Sequence, residues 1–184
     1  MANPWVTLDS KLIYENQWLR LREDSVLRPD GRPGIYSVLE IMPSVGIIAL
    51  DDSGRIALVT QWRYVHNKLS VEIPTGASGP SEDLQVSAER ELREETGLAA
   101  SSWRELGSID NCNGATTDVA HIFLATQLSQ GDSDQDPEES IELGWCDFND
   151  AVNMVMMGEI TESTSVAAIL KTEILRRSGE ISIS

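Results

Sequence analysis

Along the first forty residues, apolar and polar positions alternate in the manner of strands. Val6 to Tyr14 and Leu19 to Leu27 alternate loosely and are rich in β-branched and aromatic side chains, and Ile35 to Ile41 reads as a third strand. Arg28-Pro29-Asp30-Gly31 supplies the turn between the second and third, since proline presets φ and glycine accepts a positive one. Val45 to Leu50 and Ile56 to Trp62 flank Asp51-Asp52-Ser53-Gly54, a second hairpin signal. Glu72-Ile73-Pro74-Thr75-Gly76 is a short extended piece that ends in a glycine loop. The period then lengthens. A helix is expected from Ser81 or Glu82 to Thr96, with Gly97 in the C-terminal stop position. Strands follow near Trp103 to Ile109 and Val119 to Ala125. Ser129 to Ser140 reads as an acidic loop, with six acids and no basic residue between Asp132 and Glu142. Ile141 to Cys146 is a last strand. Asp147 to Met157 and Ser163 to Arg177 read as helices separated by Gly158, with a cap at Thr161-Glu162-Ser163 and with Met154, Met156 and Met157 as packing residues.

This order of elements predicts an α/β fold: a mixed sheet with helices packed on it, preceded by an antiparallel strand segment. A length of 184 residues suits one domain with a small appended element. The boundary falls between a strand-rich segment, 1–42, and a main domain, 43–184. The longest apolar stretch, around Val45 to Leu50, is a strand's length and too short to span a bilayer, so a soluble, cytoplasmic protein with no membrane partner is expected. Cys112 and Cys146 give no disulfide framework and read as reduced thiols. His66 and His121 are too few and too far apart for a zinc site.

The net charge of −16 sharpens the functional reading. Such a surface repels nucleic-acid phosphates, which argues against a polymer-binding groove. A small anion remains a possible ligand where bound cations invert the local field.

The candidate chemistry lies between Gly76 and Leu98. Gly76 is followed by Glu82 and then by Arg90-Glu91-Leu92-Arg93-Glu94-Glu95-Thr96-Gly97-Leu98. On a helix, Glu91 and Glu95 stack on one face and Arg90 and Glu94 form a second i, i+4 pair beside them. Between Glu82 and Glu95, six acids against two arginines leave a local charge of −4. Like charges so crowded repel, and hard cations such as Mg²⁺ or Mn²⁺, which favour oxygen ligands, would relieve that. A lone Arg-Glu-x-x-Glu-Glu is usually a solvated, salt-bridged surface; the full spaced run is far more specific.

That spacing of glycine, glutamates and arginine resembles the signature of the Nudix hydrolase family, with Gly76, Glu82, Arg90, Glu91, Glu94, Glu95 and Gly97 at its fixed positions. The resemblance implies an α/β/α sandwich and metal-dependent hydrolysis of a nucleoside diphosphate linked to another moiety. It also implies roles: Glu91 and Glu95 as main metal ligands with the Thr75 carbonyl, Glu94 completing the set, Arg90 orienting the glutamates, and Glu82 binding metal or supporting the helix.

Further features resemble the ADP-ribose and nucleotide-sugar pyrophosphatase branch. Segments like Lys11 to Asn16 through Pro29-Asp30-Gly31 pair or swap between two subunits there, which implies a homodimer rather than a monomer with an extended sheet. In Gln61-Trp62-Arg63-Tyr64, Arg63 stands where the branch places an arginine on the substrate phosphates, though a surface charge is an equal reading. Glu72 to Gly76 is similar to the branch's approach to the signature. Glu138-Glu139 is similar to a loop that delivers a catalytic glutamate, which makes Glu139 the candidate base with Glu138 and Glu94 as competitors. Trp18 sits where a partner-subunit aromatic would stack on a base, although a tryptophan in a strand is more often core. Gly114 and Asp118 fit the substrate region. Asn113 replaces the proline usual in the ADP-ribose subgroup, which favours a broader nucleotide-sugar specificity. Two rivals share the signature. A pyrophosphatase of oxidised nucleoside triphosphates tends to lack the strand-rich leader, and a non-catalytic nucleotide-sugar sensor loses the glutamates that are all present here.

Overall fold

The computed structural model describes residues 1–131 and 140–183. The chain divides into two compact units, one of Met1–Pro43 with Asp110–Val119 and one of Ser44–Ile109 with Ala120–Ser184.

The first unit holds a three-stranded antiparallel sheet in the order β1 (Val6–Glu15), β2 (Leu19–Leu27), β3 (Pro33–Ile41). The β2–β3 turn forms as its sequence dictates: Gly31 takes φ +79° and its N–H donates to the Arg28 carbonyl at 2.8 Å. Strand β1 is exposed along its whole length, with Leu8, Leu12, Ile13 and Tyr14 all open to solvent. Trp18 lies in the β1–β2 turn and is 70% exposed, so the core reading of this residue is wrong. The cause is local: Asn16 Oδ1 accepts the N–H groups of Trp18 and Leu19 at 2.9 and 3.0 Å, which makes positions 16–19 a turn rather than a strand interior.

The second unit is an α/β/α sandwich. Its mixed sheet runs β7 (Thr75–Ala77), β4 (Ser44–Ala49), β9 (Val119–Gln130), β8 (Leu98–Asp110). Strand β4 is antiparallel to β7 and parallel to β9. A second antiparallel sheet has the order β10 (Ile141–Asp147), β5 (Arg55–Arg63), β6 (Lys68–Glu72). Three helices complete it: α1 (Leu84–Thr96), α2 (Phe148–Met157) and α3 (Ser163–Arg177).

Alternation along β4 splits the core in two. Val45, Ile47 and Ala49 join Ala88 and Leu92 of α1, while Ile48 and Leu50 join Phe148, Ala168 and Ile169 of α2 and α3. Strand β9 divides the same way, with Phe123 and Ala125 toward α1 and Ile122 and Leu124 toward the other pair. Each fully buried Ile or Phe here contributes about 1.5–3 kcal/mol. Met154 packs against this second core, but Met156 and Met157 are 70% and 78% exposed and do not act as the packing residues expected. Among the described residues no helix is long and apolar enough to cross a membrane.

Candidate functional site

Helix α1 starts later than the sequence suggests. Ser81 takes φ +62° and Asp83 is the cap, its carboxylate accepting the N–H groups of Gln85 and Val86 at 2.9 and 3.2 Å. Glu82 is thereby free of the helix backbone and turns inward instead. It accepts the Gly79 N–H at 2.8 Å and meets the Arg90 guanidinium at 3.2 Å. Its carboxyl group is held down to about 2, first by Arg90 and then by the Gly79 amide and Ser87. The other end closes as expected: Gly97 takes φ +68° and donates to the Arg93 carbonyl at 2.8 Å.

Arg90 is the hub. Nη1 donates to Glu91 Oε1 at 2.6 Å and to Glu94 Oε2 at 2.9 Å, while Nη2 reaches the Ala77 carbonyl at 2.9 Å and Glu82. One guanidinium thus bonds three carboxylates, offsetting one of their three charges, and ties the helix to β7. Its own proton is held more tightly than usual, first by the hydrogen bond to Glu82 and against the opposing effect of burial.

Glu91 lies directly over the glycine loop. A Cβ on Gly76 would overlap its carboxylate, so only glycine permits this approach. Glu95 is buried and its Oε2 accepts the Thr75 N–H at 2.9 Å. Thr75, Gly76, Arg90, Glu91, Glu94 and Glu95 are therefore brought to one place within the second unit.

Arg63 is neither a free surface charge nor unpaired. Its Nε donates to Glu72 Oε1 at 2.9 Å and its Nη2 to Glu72 Oε2. Glu72 is wholly buried; burial raises its pKa, but the Arg63 and Ser70 hydrogen bonds outweigh that and leave it lowered. The Arg63 proton is held more tightly than usual, first by the hydrogen bond to Glu72 and against the opposing effect of burial. The Arg63–Glu72 pair escaped sequence reasoning; its only signal was a lone glutamate before Ile-Pro.

Trp18 and Asp118 belong to the first unit, where Asp118 Oδ2 accepts from Asn111 Nδ2 at 3.2 Å. Glu138 and Glu139 lie outside the described residues.

Among the described residues no three carboxylate, imidazole or thiol groups converge as a ready-made metal centre, and Arg90 is bonded to Glu82, Glu91 and Glu94. The donor set still suits a hard divalent ion: Glu91, Glu94, Glu95 and the Thr75 carbonyl offer only oxygen. Gly76 keeps the space beside Glu91 clear of a side chain.

Comparison with known proteins agrees with this geometry. The family described as "NUDIX domain" matches residues 40–165, which include the whole glycine loop and α1. The chain belongs to the Nudix family. A second family, "Nucleoside diphosphate sugar hydrolase N-terminal domain", matches residues 5–39 of this Nudix hydrolase. It is 34% identical over 167 residues to an ADP-ribose pyrophosphatase of Mycobacterium tuberculosis, spanning 89% of this chain and 81% of that one. An ADP-ribose pyrophosphatase of Bacillus subtilis is 27% identical over 165 residues, 89% of each chain. The crystal structure of an ADP compounds hydrolase superposes with a TM-score of 0.87 over 98% of this chain and 99% of that one, at 16% identity, and so shares the fold.

Proposed function

We propose that this Nudix hydrolase cleaves the pyrophosphate bond of ADP-ribose or related nucleoside diphosphate sugars, releasing a nucleoside monophosphate and a sugar phosphate. The observation that carries the reading is the Gly76 loop closed over Glu91 while Glu95 binds the Thr75 N–H. That arrangement sets hard oxygen donors on a rigid helix beside a loop with no side chain in the way. The two ADP-ribose pyrophosphatases matched over most of their length, and the residues 5–39 match, support the substrate class.

Glu91, Glu95 and the Thr75 carbonyl, with Glu94, would hold Mg²⁺ or Mn²⁺. Bound there, the ions supply charge neutralisation on the diphosphate and acidify water. The chain's own residues do the rest. Arg90 keeps Glu91 and Glu94 in one rotamer each through its two bonds from Nη1. The Thr75 N–H orients Glu95. Arg63, at the end of β5 and fixed by Glu72, serves the substrate phosphates, and Trp18 and Asp118 serve the nucleotide. Glu139 takes the proton of the attacking water, with Glu138 and Glu94 as the competing bases. The enzyme works as a cytoplasmic homodimer, a reading supported by the exposed apolar side chains of β1.

The test is a substrate panel of ADP-ribose, ADP-glucose, GDP-mannose and 8-oxo-dGTP with product identification, run with and without chelator. Hydrolysis of the sugars to two monophosphates, abolished by chelator, is expected. Turnover of 8-oxo-dGTP alone would reassign the enzyme to oxidised nucleotides.

A further inference from the structure

Ile73 and Pro74 lie between two ladders. Strand β6 ends at Glu72, paired with β5, and β7 begins at Thr75, paired with β4. Pro74 has no N–H to give. Ile73 is fully buried, so its N–H requires a partner from elsewhere. That partner is Ser165 Oγ in the first turn of α3, at 3.0 Å. Ser165 is itself wholly buried, and its hydroxyl donates to Glu162 Oε2 at 2.7 Å.

The same carboxylate caps α3, accepting the N–H groups of Thr164 at 2.8 Å and Ser165 at 2.7 Å. Glutamate is not among the usual capping residues, which are Ser, Thr, Asp and Asn. Here one carboxylate serves two amides and two hydroxyls, those of Ser165 and, at 3.3 Å, Ser163. A serine hydroxyl has a single proton; once Glu162 takes it, the lone pairs are left for Ile73. The negative acceptor also strengthens the bond next in the chain. Packing locks the arrangement: a Cβ on Gly46 of β4 would meet Thr164 Cγ2 at 2.9 Å and Ile73 Cδ1 at 3.2 Å.

We propose that Glu162 and Ser165 are positioning residues that fix the Ile73-Pro74-Thr75 backbone, so that Thr75 turns its carbonyl to the metal and its N–H to Glu95. The inference rests on the metal-assisted reading above. Three successive groups of this segment are held: the Ile73 N–H by Ser165, the Pro74 carbonyl by the Ile47 N–H at 2.9 Å, and the Thr75 N–H by Glu95 at 2.9 Å. The second anchor comes from the sheet and the third from α1. The first alone reaches across from the opposite helical layer. Without it the buried Ile73 N–H has lost its bond and the segment keeps two of its three anchors, which loosens the setting of the Thr75 carbonyl.

The experiment compares Ser165→Ala, Glu162→Gln and their double variant with Ile169→Val, a core change on the same helix that leaves the clamp intact. Three quantities are read: amide hydrogen exchange at Ile73 by NMR in metal-free protein, Mn²⁺ binding by calorimetry, and kcat and KM separately for Mg²⁺-dependent ADP-ribose hydrolysis. Faster exchange at Ile73 is expected, with Mn²⁺ affinity and kcat down by about ten- to a hundredfold, as for other groups that orient a metal ligand. KM should stay within about twofold, because uniform substrate binding is untouched. The double variant should be no worse than Ser165→Ala alone, since one chain of bonds is cut twice. Ile169→Val should keep all three quantities. The proposal falls if Ser165→Ala matches Ile169→Val in kcat and Mn²⁺ affinity, or if Ile73 exchange is unchanged. Should Ser165→Ala not fold, Glu162→Gln decides by the same criteria. A wild-type enzyme inert toward every nucleoside diphosphate sugar would sink the substrate reading, while exchange and Mn²⁺ binding would still judge the clamp.

Discussion

The Glu91 carboxylate occupies the space where a side chain on Gly76 would begin. Contact this close couples a backbone position to a candidate metal ligand with nothing between them. Gly76→Ala should therefore displace the Glu91 carboxylate. Little stability loss is expected, because only the far end of a flexible side chain must move, but Mg²⁺ uptake should weaken. Urea denaturation and calorimetry would read the two separately. Unchanged metal affinity in a folded variant would show that Glu91 is not a ligand.

Glu95→Gln keeps an oxygen for the Thr75 N–H and removes the charge. The fold should survive, with stability within about 1 kcal/mol of wild type. Turnover should drop by more than the roughly ten- to hundredfold typical of groups that only orient ligands. Near-normal kcat would refute the assignment of Glu95.

Arg63 and Glu72 are unequal partners: Arg63 keeps 39% of its side chain exposed and Glu72 almost none. Arg63→Ala strands a buried negative charge. The cost should fall somewhat below the roughly 3–5 kcal/mol of a fully buried pair, because water reaches the arginine side. The double variant Arg63→Ala, Glu72→Gln should regain most of that stability without regaining phosphate affinity. Equilibrium unfolding and KM measurements separate these two effects.

Glu82 gives a pH signature. Its folded pKa is lowered from an ordinary 4.5 to about 2. A depressed carboxylate stabilises the fold above its unfolded pKa, and that contribution is lost as pH falls toward the folded value. Metal-free protein should thus lose stability between about pH 5 and pH 2. Glu82→Gln should flatten this part of the curve when thermal unfolding is followed in chelator. An identical slope in both proteins would remove Glu82 from the account.

The dimer reading makes its own demand on β1. Ile13→Asp places a charge on an exposed apolar strand and should shift sedimentation from dimer to monomer without altering secondary structure. A monomeric wild type would end that reading.

Much of this architecture is legible in the chain, and the exceptions share a cause. Strand β4 and helix α1 are readable because burial follows hydrophobicity there, as Val45, Ile47 and Leu92 show. Strand β6 inverts the rule: Ser70 and Glu72 are buried while Leu69 is 63% exposed. Pattern reading looks for buried apolar positions, so an internal ion pair hides such a strand. Arg63 and Glu72 are nine residues apart and meet only through the β5–β6 pairing. The late start of α1 was missed for a related reason. The start expected at Ser81 or Glu82 moves to Asp83 because Glu82 engages Gly79 and Arg90 and Asp83 caps the helix, contacts that no local pattern announces.

Arg90 has one more consequence. A helix crowded with acids draws counter-charge from its surroundings, and here one guanidinium of the same chain supplies a share of it. Part of the like-charge repulsion is thus relieved within the polypeptide itself, so less of what a divalent cation would contribute here goes to holding the helix together.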